Sequence, residues 1–201
     1  MSHRSRCIQK YFLVHSAPSN DLIHIPIETE NIALVIRINE LQDPLIVYIG
    51  KRLNNRIDYN SFSSFDIGLQ NEDYTGLYSS AYTPAGTRNL LEPAIQIIHA
   101  DGNPTLELKY IRHEQIDNRP NNSTIVTKIY LQDPVYPFQV ILNYKAYYDT
   151  DVIEQWTSII HTEMGTVRLL KYGSANLYFS TAQSYYLTHF QIGRASCRER
   201  V

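Results

Sequence analysis

The sequence is poor in the residues that usually mark redox, metal or charged-polymer chemistry. Its 201 residues contain only two cysteines, Cys7 and Cys197, and these lie at opposite ends of the chain. Such a pair defines neither a disulfide framework nor a zinc knuckle, and no cofactor is expected. The net charge is only −2, with acidic and basic residues mixed along the chain. This balance disfavours nucleic acid or a membrane surface as a partner.

Long hydrophobic runs are also missing near the start of the chain. Arg4, Arg6 and Lys10 precede the apolar run at residues 11–14, which is too short for a signal-peptide core or a membrane span. We therefore interpret residues 1–21 as a lead-in to the folded domain. The sequence leaves the compartment open.

Tyrosine, by contrast, is abundant, with 16 residues, and many Ile, Val and Thr residues accompany it. This composition favours extended structure over helices. Successive apolar runs are separated by short turns, and no helix of convincing length interrupts them. The pattern predicts an all-β fold, an antiparallel β-sandwich. The predicted strands cover residues 23–27, 32–38, 45–53, 94–98, 106–110, 125–131, 138–148, 152–163 and 167–179.

The side-chain alternation of these runs also predicts which faces are buried. Residues 32–38 are apolar almost throughout, which is typical of a strand buried on both faces. Asp101-Gly102, after residues 94–98, is a strong hairpin signal, and Asn121-Asn122 is expected to form another turn. Three later runs bury alternate residues: Leu106, Leu108 and Tyr110 in one; Ile125, Thr127, Ile129 and Leu131 in the next; and Phe138, Val140, Leu142, Tyr144, Ala146 and Tyr148 in the third, opposite Gln139, Asn143 and Lys145.

One long segment, residues 54–86, shows neither period. An irregular stretch of this length within a compact domain is usually functional or disordered. Its aromatic residues, among them Phe62 and Phe65, argue against simple disorder.

Several motifs together resemble the amino-terminal domain of family 36 glycoside hydrolases, the bacterial α-galactosidases. The resemblance covers residues 22–191 in the order of that family, which is more specific than any single motif. The motifs are Thr29-Glu30-Asn31 with Ala33-Leu34-Val35, Tyr48-Ile49-Gly50-Lys51-Arg52-Leu53, Ala85-Gly86-Thr87-Arg88-Asn89-Leu90-Leu91-Glu92-Pro93, His99-Ala100-Asp101-Gly102-Asn103-Pro104, Leu106-Glu107-Leu108-Lys109-Tyr110, Asp133-Pro134-Val135-Tyr136-Pro137 and Val152-Ile153-Glu154-Gln155-Trp156.

The resemblance implies a β-sandwich ahead of a catalytic (β/α)8 barrel that hydrolyses terminal α-galactosides of the melibiose or raffinose type. A retaining mechanism needs two carboxyl groups about 5 Å apart. In the family these belong to a Lys-Trp-Asp motif and a Ser-Asp loop. Neither motif is present here. The single tryptophan, Trp156, lies between Gln155 and Thr157, and the sequence contains no Ser-Asp pair. We therefore expect a structural, non-catalytic part of an enzyme of the bacterial cytoplasm or periplasm, inactive by itself.

Residues 192–201 resemble the translation of a sequencing adapter rather than a protein segment. The expected domain is therefore residues 22–191, a sandwich incomplete at its carboxyl end. An unpaired strand edge and an uncovered apolar face favour aggregation, so we expect poor solubility for the chain alone.

The resemblance also implies one binding residue. In family members of this type the amino-terminal domain helps to hold a homo-oligomer, of the tetramer type, and a loop reaches a neighbouring subunit's sugar pocket. Spacing from Gly50-Lys51 places the matching carboxylate at Asp66, in Ser63-Ser64-Phe65-Asp66. The alternative is a solvated loop residue.

Two pairs of possible metal ligands have i, i+2 spacing on predicted strands: His99 with Asp101, and His161 with Glu163. No third ligand lies nearby in sequence, so polar pairs at hairpin ends are favoured over a metal site.

Three other sets of residues have a structural and a functional interpretation. Arg88 either clamps a carboxylate or sugar or braces its loop by pairing with Glu92. Ser174 lacks the second glycine of a nucleophile elbow and receives no catalytic role. Tyr110, Tyr144 and Tyr148 have the spacing of core residues or cross-strand pairs rather than of sugar-stacking platforms.

Two further functions remain open beside the truncated α-galactosidase. One is a free-standing β-sandwich module that binds galactosides without hydrolysing them. The other is an unrelated sandwich used for adhesion.

Overall fold

The structure is a computed structural model that describes residues 23–62, 66–68, 76–177, 186–189 and 197–200. Helical structure in these ranges is limited to the four-residue helix α1 (Arg119–Asn122) and two 3-10 helices, Arg56–Ser61 and Tyr148–Thr150. The strands are β1 (Ile23–Glu28), β2 (Ile32–Ile38), β3 (Pro44–Lys51), β4 (Asp66–Gly68), β5 (Gly76–Tyr78), β6 (Ile95–Ile98), β7 (Lys109–Asp117), β8 (Thr124–Gln132), β9 (Phe138–Tyr147), β10 (Val152–His161), β11 (Arg168–Tyr172), β12 (Tyr186–His189) and β13 (Cys197–Arg200). No helix among the described residues is long and apolar enough to span a bilayer.

Two antiparallel sheets form the body of the molecule. One has the strand order β1-β2-β3 and the other the order β10-β9-β8-β7, so that consecutive strands are neighbours throughout. Three two-stranded pairs, β4-β5, β6-β11 and β12-β13, accompany them. The meander of an all-β sandwich, predicted from the short turns, is confirmed.

The core lies between the facing sides of the two sheets. Ile25, Ile27 and Ile36 project from the first sheet, and Ile129 and Val140 project from the second. All five side chains are almost completely buried. Stacked sheets exclude water by interlocking such alternate residues, which makes burial of this apolar surface the main stabilising term.

The predicted alternation along β8 and β9 is confirmed. Ile125, Thr127, Ile129 and Leu131 are buried in β8, as are the alternate β9 residues from Phe138 to Ala146. Asn143, on the opposite side of β9, is also buried, and its amide donates hydrogen bonds to the Ile141 carbonyl and the Ser158 hydroxyl, each at 3.1 Å. Tyr148 belongs to the 3-10 helix after β9 rather than to the strand.

Burial of β2 on both faces is confirmed as well. Its inner side faces the sandwich core, whereas Ala33 and Val35 on its outer side pack with Tyr59 of the first 3-10 helix. This helix is therefore the cover that allows β2 to be apolar on both sides.

The Asp101-Gly102 hairpin prediction is wrong, although the turn itself is present. The His99 N–H donates to the Asn103 carbonyl at 2.8 Å, and Gly102 has a φ of +91°. The chain then leaves extended pairing, because the next strand, β7, begins only at Lys109, and β6 pairs with β11 instead. Leu106 and Leu108 are buried as predicted but lie outside a strand.

The turn predicted at Asn121-Asn122 is the last part of α1, which continues into Ser123 in the left-handed conformation with a φ of +52°.

Candidate functional site

Asp66 is the first residue of β4, and its backbone lies opposite Tyr78 of β5. The antiparallel register continues through Ile67 and Leu77 to Gly68 and Gly76. The predicted loop residues Ser63, Ser64 and Phe65 lie outside the described residues. The irregular segment thus contains a short strand pair with Asp66 at one end.

The segment leading to Asp66 is anchored by Glu28, a buried carboxylate at the end of β1. Arg56 donates to it from Nε at 2.8 Å and from a terminal guanidinium nitrogen at 2.6 Å. The Tyr59 hydroxyl donates to its other oxygen at 3.1 Å and accepts from the Leu53 N–H at 3.0 Å. Burial and the neighbouring Glu28 charge raise the pKa of Tyr59, so this hydroxyl stays a donor. The Glu28 side chain therefore binds the first 3-10 helix at two of its residues, Arg56 and Tyr59.

Aromatic packing strengthens this anchor. The ring of Tyr48, in β3, lies 5.7 Å from the ring of Tyr59 and 4.7 Å from that of Phe62, measured between centroids. Arg52, after β3, donates to the Tyr148 hydroxyl at 2.6 Å and thereby joins the end of β3 to the 3-10 helix that follows β9. The segment is consequently held in place as far as Phe62, four residues before Asp66 in the sequence.

A second polar cluster centres on His99, whose side chain is completely buried. Its Nε2 lies 3.0 Å from the Thr105 carbonyl, and its Nδ1 lies 2.8 Å from the Glu163 carboxylate. The carbonyl can only accept, so Nε2 carries a proton. Burial raises the pKa of Glu163, but hydrogen bonds from the Ala100 N–H and from His99 outweigh burial and lower it below its usual value. Glu163 is then an acceptor too, so both ring nitrogens of His99 face acceptors.

Tyr136 completes the cluster and connects it to the β8–β9 connection. Its ring stacks on the His99 ring with 3.6 Å between centroids, and its hydroxyl donates to Asp101 at 2.7 Å. Nearby, the buried Asp133 carboxylate accepts from the N–H groups of Val135, Tyr136 and Glu107. Two of the motifs that carry the family resemblance are thus joined by hydrogen bonds.

The two pairs of possible metal ligands that the sequence suggested do not form in the structure, because their members have other partners. His99 pairs with Glu163, taken from the other pair, whereas Asp101 bonds to Tyr136. In the described part of the chain, no group of three or more His, Cys, Asp or Glu side chains has an arrangement that could hold a metal ion.

A shallow groove of about 360 Å³ borders the cluster, with Asp101, Tyr136 and Glu163 among its lining residues. The carboxylates of Asp101 and Glu163 both accept hydrogen bonds from the protein. The Asn103 N–H and the Tyr136 hydroxyl hold the pKa of Asp101 below its usual value. Because both acids are held in the ionised form, the groove offers no general acid at neutral pH.

The other predicted candidates have structural positions. The prediction that Arg88 pairs with Glu92 is wrong, because Glu92 forms an ion pair with Lys171 of β11 instead. The Ser174 carbonyl accepts a hydrogen bond from Thr157 at 3.0 Å. Tyr144 is buried in the core, and Tyr110 and Tyr148 pack against its edge, as their spacing predicts.

The anchor at Glu28 was not found by sequence reasoning. Its partners lie 28 and 31 residues away along the chain, in a segment without periodicity. The only signal in the sequence is an acidic residue that ends an apolar strand.

Comparison with known proteins gives one family and one fold. A family model of the glycosyl hydrolase family 36 N-terminal domain matches residues 42–194. A search of curated proteins found no match.

Among solved structures, the α-galactosidase of Lactobacillus brevis has a TM-score of 0.70 at 16% identity, covering 83% of this chain and 25% of that one. A variant of the α-galactosidase AgaA of Geobacillus stearothermophilus, in complex with raffinose, has a TM-score of 0.71 at 19% identity, covering 89% and 28%. The galactosidase domain of the α-galactosidase-sucrose kinase AgaSK has a TM-score of 0.72 at 19% identity, covering 90% and 29%. These structures share the fold, and the chain spans between a quarter and a third of their length.

Proposed function

This chain belongs to the glycosyl hydrolase family 36 N-terminal domain family, and from that premise we propose that it is the non-catalytic amino-terminal part of an α-galactosidase. The proposed enzyme hydrolyses terminal α-galactosides with retention, using a barrel domain outside this chain. The observation that carries the proposal is the family-model match over residues 42–194. The shared fold with solved α-galactosidases supports it.

The chemistry of the groove beside His99 also supports a non-catalytic role. Retaining hydrolysis needs one ionised carboxylate and one carboxylic acid whose pKa is raised. Asp101 and Glu163 line the same groove, but the pKa of each is lowered by its hydrogen-bond donors. The pair therefore lacks the acid, and we expect no hydrolysis by the chain alone.

Within this function, Asp66 is the proposed substrate contact. A carboxylate accepts several hydrogen bonds, which suits the hydroxyl groups of galactose in a neighbouring subunit's pocket. The anchor formed by Glu28, Arg56 and Tyr59 supports this role, because a loop with a fixed base loses less conformational freedom when it meets a ligand. The domain then also contributes to a homo-oligomer of the tetramer type.

The first test compares the full-length enzyme with the 201-residue chain. We expect the full-length protein to hydrolyse raffinose and p-nitrophenyl α-galactoside but not the β-anomer, and the chain alone to hydrolyse neither. Full-length protein that is inactive on every α-galactoside would contradict the proposal. If calorimetry instead shows that the chain alone binds melibiose, the free-standing binding module becomes the better interpretation.

The second test addresses Asp66 directly. Loss of charge-assisted hydrogen bonds to the sugar in Asp66→Ala should lower kcat/KM for raffinose about 10- to 100-fold, mainly through KM. Asp58→Ala is the matched control, because Asp58 is an exposed acid in the adjacent 3-10 helix. Equal kinetics for the two variants would remove Asp66 from the site.

A mixing experiment tests whether the loop serves a neighbour. Subunits carrying Asp66→Ala are reassembled with subunits that lack the barrel nucleophile but keep Asp66. If the loop reaches the adjacent pocket, intact loops serve intact barrels in the hybrids and activity rises above that of either parent. If activity does not rise, each loop serves its own subunit.

A further inference from the structure

Strand β10 lies at one edge of the four-stranded sheet, and its ten residues pair with β9 in unbroken register. Among the described residues, no backbone group of residues 152–160 bonds to any segment other than β9. The free edge therefore presents a row of unused N–H and C=O groups. Such a row is a template for one more strand.

The opposite edge of the same sheet, β7, is protected against such pairing. It is bulged between Tyr110 and Arg112, and four of its nine residues carry a charge. Bulges and charged side chains are the means by which edge strands avoid pairing with other chains. Residues 152–160 carry a single charge, at Glu154, and their register with β9 shows no bulge. The β10 edge is thus the one of the two that is suited to pairing.

The outer side chains of β10 are arranged symmetrically about Trp156. Val152, Trp156 and Ile160 are 50%, 37% and 46% exposed, and Glu154 and Ser158 alternate with them. A twofold axis at Trp156, perpendicular to the sheet, would place Val152 opposite the second copy's Ile160. The same axis would place Glu154 opposite Ser158, so apolar residues would meet apolar ones and no like charges would face each other.

The inner side of β10 obeys the same symmetry. The axis at Trp156 would pair Ile153 with the second copy's Ile159, and both are partly buried isoleucines packed against the core. It would also pair the polar residues Gln155 and Thr157.

Only this register is free of mismatched pairs. Moving the axis by one residue in either direction would place Glu154 opposite Trp156 or opposite Ile160. A carboxylate would then be desolvated against an apolar side chain, which is costly. The sequence of β10 therefore specifies a partner with the same sequence and the axis on which the two strands meet.

We propose that β10 is a dimerisation edge: two copies of this chain pair through it in antiparallel orientation about a twofold axis at Trp156, and two four-stranded sheets become one of eight strands. The contact is isologous and closes at two copies, because each edge is used once. It names a surface for the proposed homo-oligomer and in that respect rests on the proposed function, although the pairing can be tested without catalysis.

Trp156 reports this contact directly, because it is the only tryptophan in the chain. In the dimer its ring faces the second copy's Trp156 and loses exposed surface, so its emission should move to shorter wavelength. At about 50 μM the 201-residue chain should sediment at twice its mass of 23.3 kDa, and dilution should return mass and emission together to those of the monomer. A monomeric chain whose emission does not change with concentration would overturn the proposal.

Charge pairs at the two ends of the strand test the register. Val152→Lys places a lysine opposite the second copy's Ile160 at two symmetrical positions and should weaken dimerisation about tenfold, and Ile160→Glu should do the same. The double variant creates two opposite-charge pairs and should return the dissociation constant to within about threefold of the native value. Val152 and Ile160 are about 27 Å apart along one strand, so this rescue cannot occur within a single copy.

Ile116→Lys is the matched control, because Ile116 is an exposed isoleucine on the opposite edge strand, β7. It should leave the dissociation constant unchanged, and circular dichroism checks that each variant is folded. If the double variant dimerises no better than the single ones, the register about Trp156 is overturned.

The full-length enzyme separates this inference from the proposed function. There Val152→Lys should lower the sedimenting mass at low concentration, and the double variant should restore it. If the mass of an active full-length enzyme is unaffected, the β10 interface is overturned while the proposed function stands. If the full-length protein hydrolyses no α-galactoside, the proposed function fails, and the mass of the chain still decides whether β10 pairs.

Discussion

Replacing Glu163 by alanine should destabilise the chain more than replacing an exposed glutamate by alanine. The carboxylate accepts from the His99 ring at 2.8 Å and from the Ala100 N–H at 3.0 Å. The His99 side chain is completely buried, so water cannot replace its partner, whereas Ala100 is exposed and regains a bond to solvent. A buried hydrogen-bond donor that loses its acceptor costs about 1–3 kcal/mol, with a smaller addition from Ala100.

Urea denaturation of the chain, followed by circular dichroism, measures this cost. For a domain of this size, the loss corresponds to a fall in Tm of about 2–4 °C per kcal/mol. The control is Glu40→Ala, because Glu40 is exposed in the β2–β3 turn, and its cost should stay within about 0.5 kcal/mol. If Glu163→Ala costs no more than Glu40→Ala, the buried pair does not hold the 99–105 turn, and the interpretation of the cluster is wrong.

The same pair predicts a pH dependence. The folded pKa of Glu163 is lowered, so its stabilising contribution is complete above the unfolded value of about 4.3 and is lost as pH falls through the folded pKa. The stability difference between the native chain and Glu163→Gln should therefore shrink as the pH falls below about 4.3, through the folded pKa of Glu163. A difference that grows as the pH falls would refute this sign.

Substitutions at three further positions, Tyr144, Glu28 and Gly102, test the fold. Tyr144→Ala removes a buried core ring and should cost about 3–5 kcal/mol, whereas Tyr144→Phe, which loses only the hydroxyl bonded to Gln155 at 3.2 Å, should cost about 1 kcal/mol in urea unfolding. Glu28→Ala should cost about 1–3 kcal/mol by the same assay. The value is kept low because the Arg56 side chain is 59% exposed, so that solvent screens its ion pair with Glu28. The control, Glu30→Ala, should be near neutral. Gly102→Ala should lower stability by about 1–2 kcal/mol through backbone strain alone, because no atom lies within 4 Å of the added Cβ, and Gly102→Asn should cost less.

Local patterns were sufficient to predict strands β2, β8 and β9 and their buried faces. The alternation in β8 and β9 matches the buried residues from Ile125 to Leu131 and from Phe138 to Ala146. This success has a simple reason, since the side chains of a strand alternate between its faces wherever the strand lies. The apolar run of β2 likewise predicted burial on both sides. The family resemblance, carried by motifs spread along the chain, agrees with the family-model match.

Pairing between distant segments was not accessible in this way. The Asp101-Gly102 signal predicted a turn correctly, but whether a turn makes a hairpin depends on which strand lies beside β6, and that strand is β11. His99 and Glu163 are 64 residues apart, and each had been grouped with its neighbour in sequence. Spacing identifies residues on one face of one strand, whereas contacts across strands depend on the order of the sheets.

The sequence by itself therefore determined the strand class, the buried faces and the family, because these depend on local periodicity and on motifs that can be recognised one by one. The tertiary structure alone decided that Glu28 binds Arg56 and Tyr59 and that the Asn89 amide binds the backbone of Tyr78. Both are single polar side chains whose partners lie far along the chain or on the backbone of another segment. Their roles depend on distances that only the packed sandwich establishes.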